Sequence, residues 1–219
     1  MPEIAEFRVI VDKECFSAQK NMSIDKELFL NFQKDDKSIL RLYSWEDSFT
    51  YGVSQKLEEL DFEYGKSSAK RITGGGILLH GNDISYCIIT SAKTFKSISV
   101  KKSYEFLCGF ILEFYKSLGL NPAFAKDIEH IKLCKSPFCQ VGFEPYDIII
   151  HGKKIGGNAQ KRSKDKILQH GSIPYKRSHH PKGGYSLEDF GIKLSKDEAI
   201  KKLIESFRRT YDSKKTRMA

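Results

Sequence analysis

The sequence predicts an α+β fold, a mixed and largely antiparallel β-sheet with flanking helices. Three observations lead there: strand-like apolar runs crowd the first half, three segments carry apolar residues at helical spacing, and a second series of strand-like runs is punctuated by turn residues. Strands that come in antiparallel runs, with helices set between them, argue against a doubly wound parallel sheet.

In chain order, Met22, Leu28, Phe29 and Phe32 mark an early amphipathic helix. The runs ILRLY (39–43), SFTYG (48–52), AKRI (69–72) and SYCIIT (85–90) follow as strands. Tyr104, Leu107, Cys108, Ile111, Tyr115 and Leu118 recur at helical spacing, and Gly119 and Pro122 end that helix. Next come YDIII (146–150), KKIGGNAQ (153–160) and ILQHGSI (167–173), with His151-Gly152 and the polar SKDK placed as hairpin turns. Ser195 is the expected N-cap of a closing helix whose core face is Ala199, Ile200, Leu203, Ile204 and Phe207. No repeat or low-complexity linker divides the chain, so one domain is expected over 1–211, with a frayed basic tail over 212–219.

A hydrophobic fraction of 40% in 219 residues suits an ordinary folded protein with a sizeable core. The N-terminus has no charged-then-apolar signal, and no apolar run approaches the roughly 20 residues that cross a bilayer, so no membrane association and a cytoplasmic location are expected. Five cysteines without a C-x-x-C pair fit neither a disulfide framework nor a zinc site, and no metal site is expected. The formal charge of +9 attracts nucleic acid, anionic membrane or acidic proteins alike.

Four stretches could carry chemistry. In KRITGGGILLH, Gly74, Gly75 and Gly76 lie between Arg71 and His80; they form no G-x-G-x-x-G and no phosphate-binding loop. A turn between strands would explain them, and so would an anionic ligand lying against bare amides with a cation beside it. In KKIGGNAQKR, Gly156 and Gly157 again strip a strand of side chains, and Lys154 ahead of them is either a solvated turn lysine or a ligand contact. In CKSPFCQVGFEPY, Cys134 and Cys139 are either buried thiols or, with a lysine nearby, nucleophiles. His170 in QHGSI is a core histidine or a substrate contact, and the His179-His180 pair reads as exposed loop.

Together these stretches resemble the lipoate-protein ligase and octanoyltransferase superfamily, which shares its fold with biotin protein ligases. The resemblance runs through MSIDKELF, RLYSWEDSFTYGVSQ, KRITGGGILLHGNDISYCI, HGKKIGGNAQKR, ILQHGSI and SLEDFGIKLSKDEAIKKLIESF. It implies a biotin/lipoate ligase-like catalytic domain in which Gly74, Gly75 and Gly76 lie along the acyl pocket, where a Cβ at Gly75 or Gly76 would block the chain. It also implies that Arg71, His80, Gly157, Asn158 and His170 bind substrate and that Lys154 meets the acyl carbonyl, stabilising its developing negative charge.

Two reactions follow from the resemblance. Transferases of the family take octanoyl from acyl carrier protein through a cysteine thioester and give it to a lysine of a lipoyl carrier domain, with no cofactor. One group keeps its nucleophile in the loop before the lysine-bearing hairpin, where Cys139 stands ahead of Tyr146-Asp147 and Lys154, with Cys134 in reserve. Lys154 is then expected to favour the Cys139 thiolate. Ligases instead use ATP and Mg²⁺ to make an acyl-adenylate; they tend to carry Asn-Asp where this chain has Tyr146-Asp147, and many continue into a further C-terminal domain or work with an accessory chain. The expected partners are octanoyl-acyl carrier protein and acidic lipoyl carrier domains, such as a glycine-cleavage carrier protein or a dehydrogenase E2 subunit. A non-catalytic nucleic-acid-binding module is the alternative from another class, and it would be indifferent to changes at Cys139 and Lys154.

Overall fold

Alternation along a central strand divides the molecule into two packed faces. In a computed structural model, which describes residues 6–211 apart from 60, 61, 63 and 135, the elements begin with β1 (Phe7–Phe16), α1 (Ala18–Asn31), β2 (Ser38–Trp45) and β3 (Ser48–Tyr51). Then come β4 (Ser67–Lys70), β5 (Leu78–His80), β6 (Asp83–Ser91) and α2 (Val100–Ser117). The chain continues through β7 (Ala123–Phe124), β8 (Ile148–Ile150), β9 (Lys153–Lys154), β10 (Gly157–Arg162), β11 (Lys166–Pro174) and α3 (Lys196–Tyr211). The expected tail over 212–219 lies outside the described residues.

The main sheet has the order β1-β2-β6-β11-β10, antiparallel except for the parallel β1–β2 pair. Two smaller sheets, β4-β3-β5 and β7-β8-β9, flank it. On β6, Ile84, Tyr86 and Ile88 join α2 and α3 in one cluster, while Cys87 and Ile89 face Met22 and Phe29 of α1 in another. Successive residues of a strand point to opposite faces, so this one segment serves both layers. The α+β expectation is borne out.

The helices follow their sequence signals. Ser17 and Ser99 cap α1 and α2 by accepting from the backbone N–H of Lys20 and Lys102. α2 stops at Leu118, with Gly119 at a φ of 79°, a left-handed conformation glycine adopts without strain. At α3, the Ser195 hydroxyl accepts from Glu198 N–H while the Glu198 carboxylate accepts from Ser195 N–H, a reciprocal capping box. The hairpin between β8 and β9 turns on His151 and Gly152, both at positive φ as a primed two-residue turn requires. No helix among the described residues is long and apolar enough to cross a membrane.

A buried ionic network ties α1 to the sheet. Arg41, fully buried on β2, donates to Asp12 and to Asp25, each at 2.6 Å, and to the Asn21 side chain at 2.7 Å. Asp25 also accepts from Tyr43 at 2.8 Å and lies 3.2 Å from His170 Nδ1. Burial raises the Asp25 carboxyl, but the hydrogen bond to His170 and the Arg41 charge outweigh it and hold the group below its ordinary value.

Candidate active site

A cleft opens between the β5 side of the molecule, the start of β10 and the loop that follows β7. Arg71, Gly75, Gly76, Cys139, Lys154 and Asn158 are among its walls. Three segments far apart in the chain meet here.

The cysteine loop is fastened to the glycine segment by backbone hydrogen bonds. Ile77 N–H donates to Pro137 C=O and Cys139 N–H donates to Ile77 C=O, both at 2.7 Å. Bare glycines allow this approach: a Cβ on Gly76 would run into the Pro137 carbonyl, and one on Gly75, whose φ is 97°, would lie 3.1 Å from the Arg71 guanidinium and 3.2 Å from Cys139 Sγ. A Cβ on Gly74 would enter open space. The crowding at Gly76 that the resemblance led us to ascribe to an acyl chain therefore has a nearer cause in the protein's own cysteine loop, and Gly74 is free of it.

Cys139 is half-buried, and its sulfur sits where negative charge is supported. Gly76 N–H donates to Sγ at 3.1 Å and Arg71 Nη2 lies 3.8 Å away, while the thiol form can donate to Gly76 C=O at 3.2 Å. The Arg71 guanidinium is buried, spanning Thr50 Oγ1 at 2.8 Å and the carbonyls of Gly74 and Gly76 at 3.2 and 2.7 Å. No carboxylate pairs with it among the described residues, and burial lowers its hold on its proton, an effect that the neighbouring Cys139 offsets only in part. A buried cation without a counter-ion favours an anion beside it.

Lys154 takes a different position from the one expected of it. Its ammonium pairs with Asp147 at 2.5 Å and reaches the Gly142 carbonyl at 3.4 Å, so the cation against the sulfur is Arg71 rather than Lys154. Burial raises the Asp147 carboxyl, against the pull of Lys154. Cys134 is exposed and also lines the cleft, exchanging backbone hydrogen bonds with Phe143, but among the described residues no donor like those around Cys139 reaches its sulfur. Among the described residues no cluster of His, Cys, Asp and Glu could hold a metal ion.

His80 and His170 are both buried rather than free to meet an anion. His80 stacks on Trp45 at 3.8 Å, with Nδ1 3.0 Å from Asp83 and Nε2 2.9 Å from Thr50, and so stands away from the Cys139 cleft. His170 is held between Asp25 and Thr73, whose Oγ1 is 2.7 Å from Nε2, yet its ring lines the cleft. Behind the cleft lies a smaller cavity bordered by Met22, Tyr43, Trp45 and His80, and the two share Arg71, Leu78, His170 and Gly171 in their walls. Gly157 and Asn158 line the cleft at the start of β10. Sequence reading missed Asp147 as the partner of Lys154, and it missed Thr50 and Thr73, which orient Arg71 and His170; only the tertiary pairing reveals them.

Comparison with known proteins places the chain in one family. The family model described as lipoyl protein ligase A/B catalytic domain matches residues 17–210. Octanoyltransferase LipM of Bacillus cereus is 34% identical over 168 residues, covering 70% of this chain and 60% of that protein. Octanoyltransferase LipM of Bacillus subtilis is 31% identical over 176 residues, covering 74% and 63%. The chain thus spans less than two thirds of the length of these relatives. Among solved structures, a lipoate-protein ligase A bound with ATP superposes with a TM-score of 0.74 at 22% identity, over 94% of this chain and 85% of that one. A bi-partite lipoate protein ligase from Thermoplasma acidophilum, described with its E2 lipoyl domain, gives 0.74 at 22% over 94% and 84%. At such identities the likeness to these structures is one of fold.

Proposed function

Because the chain belongs to the lipoyl protein ligase A/B catalytic-domain family, we propose that it moves an octanoyl group from acyl carrier protein to a lysine of a lipoyl carrier domain through a thioester on Cys139. The observation that carries this reading is the Cys139 sulfur, set on the cleft wall between the Gly76 amide and the buried Arg71 guanidinium. Both stabilise a thiolate, the nucleophilic form.

In the first step the sulfur attacks the thioester carbonyl of the octanoyl donor. A new C–S bond to Cys139 forms, the bond to the carrier sulfur breaks, and the proton first held by Cys139 ends on the departing carrier thiol. In the second step the neutral ε-amine of the acceptor lysine attacks, the amide forms, and the amine proton returns to the leaving Cys139 sulfur. Exchange of one thioester for another is close to isoenergetic, so this route needs no ATP or Mg²⁺. Lys154 and Asn158 are the donors we assign to the carbonyl oxygen, which gains negative charge in both steps. The octanoyl tail takes the smaller cavity beside Trp45 and His80, where stacked rings present an apolar surface. The +9 surface suits acidic carrier proteins, and with five free cysteines we place the reaction in the reducing cytoplasm.

Intact mass after incubation with octanoyl-acyl carrier protein in the absence of ATP tests the reading. An octanoyl adduct on the wild type and on Cys134→Ser, absent from Cys139→Ser, is expected. No adduct on the wild type, with carrier-domain modification appearing only when free lipoate and ATP are supplied, would replace this proposal with the ligase reaction.

A further inference from the structure

Asn158 is the last member of a hydrogen-bonded file that crosses three strands. Arg162 Nη1 donates to Gln160 Oε1 at 3.2 Å; Gln160 Nε2 donates to Gln169 Oε1 at 2.9 Å; Gln169 Nε2 donates to the Tyr86 hydroxyl at 3.3 Å; and that hydroxyl donates to Asn158 Oδ1 at 2.8 Å. Every bond points the same way. The sheet register makes the file possible, since Gln160 pairs with Gln169, and Asn158, Gly171 and Tyr86 stand in one row across β10, β11 and β6. In that row the absence of a side chain at Gly171 lets the Tyr86 ring reach over: a Cβ there would collide with Asn158 Oδ1 and lie 2.7 Å from Tyr86 Cε1.

The direction is set at one end. An amide side chain can turn over by exchanging its oxygen and nitrogen, but a guanidinium only donates. Arg162 therefore holds the oxygen of Gln160 towards itself, so the Gln160 nitrogen meets the Gln169 oxygen and the Gln169 nitrogen meets Tyr86. Its other partner, Ser103 Oγ at 2.6 Å, donates in turn to the Val100 carbonyl at 2.7 Å, so nothing at this end pushes the other way. Burial holds the Tyr86 phenol well above its ordinary value, so it keeps the proton it passes on. The same cause pushes Cys108, which also accepts from Gln169 Nε2 at 3.2 Å, up to about 12, so this sulfur stays a neutral thiol.

We propose that the Arg162–Gln160–Gln169–Tyr86 file is a positioning relay that turns the Asn158 amide so that its oxygen is occupied and its NH₂ faces the cleft as a donor. Among the described residues no acceptor binds that nitrogen, and Asn158 lines the cleft with Cys139 and Gly157. Asn158 touches the substrate carbonyl oxygen; the other four residues act through it. The assignment of that oxygen rests on the transfer reaction proposed above, whereas the orientation of the amide does not.

The test reverses the file at its anchor and reads both consequences. Arg162→Glu replaces a group that only donates by one that only accepts, and Arg162→Lys keeps a donor. In protein labelled with ¹⁵N at asparagine, the Asn158 side-chain NH₂ resonances, identified by their loss in Asn158→Ala, shift in Arg162→Glu and stay close to wild type in Arg162→Lys. Single-turnover acylation of Cys139 by octanoyl-acyl carrier protein slows at least about tenfold in Arg162→Glu, approaching the roughly hundredfold loss expected for Asn158→Ala, with donor affinity unchanged, and Arg162→Lys recovers most of it. If Arg162→Glu does not fold, Gln169→Glu, which removes the donor to Tyr86, gives the same two readings. Identical behaviour of the Glu and Lys variants, or an Asn158 resonance indifferent to both, overturns the relay. A wild type that accepts no octanoyl group overturns the transfer reaction alone, and the resonances still decide the orientation.

Discussion

Alanine at each of the three glycines in turn makes a sharp prediction, because the three look equivalent in sequence and are not equivalent in space. On Gly76 a methyl group meets the Pro137 carbonyl, a backbone atom, which must move by about 1 Å to reach an allowed contact. That carbonyl accepts from Ile77 N–H, and Ile77 C=O in turn holds Cys139 N–H, so the shift loosens two backbone hydrogen bonds worth about 1 kcal/mol each. A displacement of about 1 Å at a nucleophile costs on the order of a hundredfold in rate. Gly76→Ala is therefore expected to lose roughly 1–3 kcal/mol of stability and at least about a hundredfold in acylation of Cys139. Gly74→Ala, with open space around its methyl, stays within a few-fold of wild type in both. Urea unfolding and timed mass spectrometry of the octanoyl adduct read these effects. Equal losses at positions 74 and 76 would refute the argument, because bulk against a passing ligand, rather than the docked loop, would then set the requirement.

Other perturbations separate the buried groups. Arg71→Met keeps the volume but removes the cation and the amide-spanning donors; iodoacetamide should label Cys139 at least about tenfold more slowly, and Arg71→Lys should not restore the rate, since one ammonium cannot serve Thr50 and two carbonyls together. Asp25→Ala leaves Arg41, with no exposed side-chain surface, relying on Asp12, and should cost about 3–5 kcal/mol in a denaturant titration; a cost below 1 kcal/mol would mean that the network adds little. For acid stability, Asp25 and Asp83 are raised by burial but brought below their ordinary values, by His170 and Arg41 in the first case and His80 in the second. Their folded-state values being depressed, the stability they add is full above the unfolded value near 4 and is lost as the pH falls through the folded values. Thermal melting from pH 7 down to pH 2.5 should decline only below about pH 4, and a transition flat to pH 2.5 would contradict this.

The sequence made local structure legible where one segment decides its own fate. α2 and α3 were readable because their apolar residues recur along one face and because the Ser195–Glu198 capping box needs only four consecutive residues. β1 escaped notice: Phe7–Phe16 is an edge strand without clean alternation of apolar and polar residues, and its pairing with β2 is parallel, which no local turn announces. β5 was hidden behind the glycines, and Arg71, read as part of a strand, sits just beyond the end of β4, where its side chain is free to turn inward. The site residues were legible by type, as unusual glycines, a loop cysteine and a lysine before a stripped strand. Their pairings were not. Arg71 meets Cys139 across 68 positions and Asp25 meets His170 across 145, distances over which residue spacing carries no information.

The two cations of the cleft differ in a way that bears on how an acyl-enzyme could form and then be discharged. Lys154 is neutralised by Asp147 whether or not Cys139 carries an acyl group. Among the described residues Arg71 has no carboxylate partner, so in the proposed reaction its charge would be balanced while Cys139 is a thiolate and would lose that balance once the sulfur became a neutral thioester. The buried guanidinium thus favours the state in which the sulfur is a leaving group over the state in which it is acylated. Attack by the acceptor amine gains from this, since breaking the C–S bond restores the anion beside Arg71. In the proposed reaction the same residue would ready the nucleophile and keep its product from becoming too stable. It follows that an Arg71→Met protein, once acylated by prolonged exposure to donor, should release octanoyl to a carrier-domain lysine more slowly than wild type. If the two proteins discharge at equal rates, Arg71 serves the first step only.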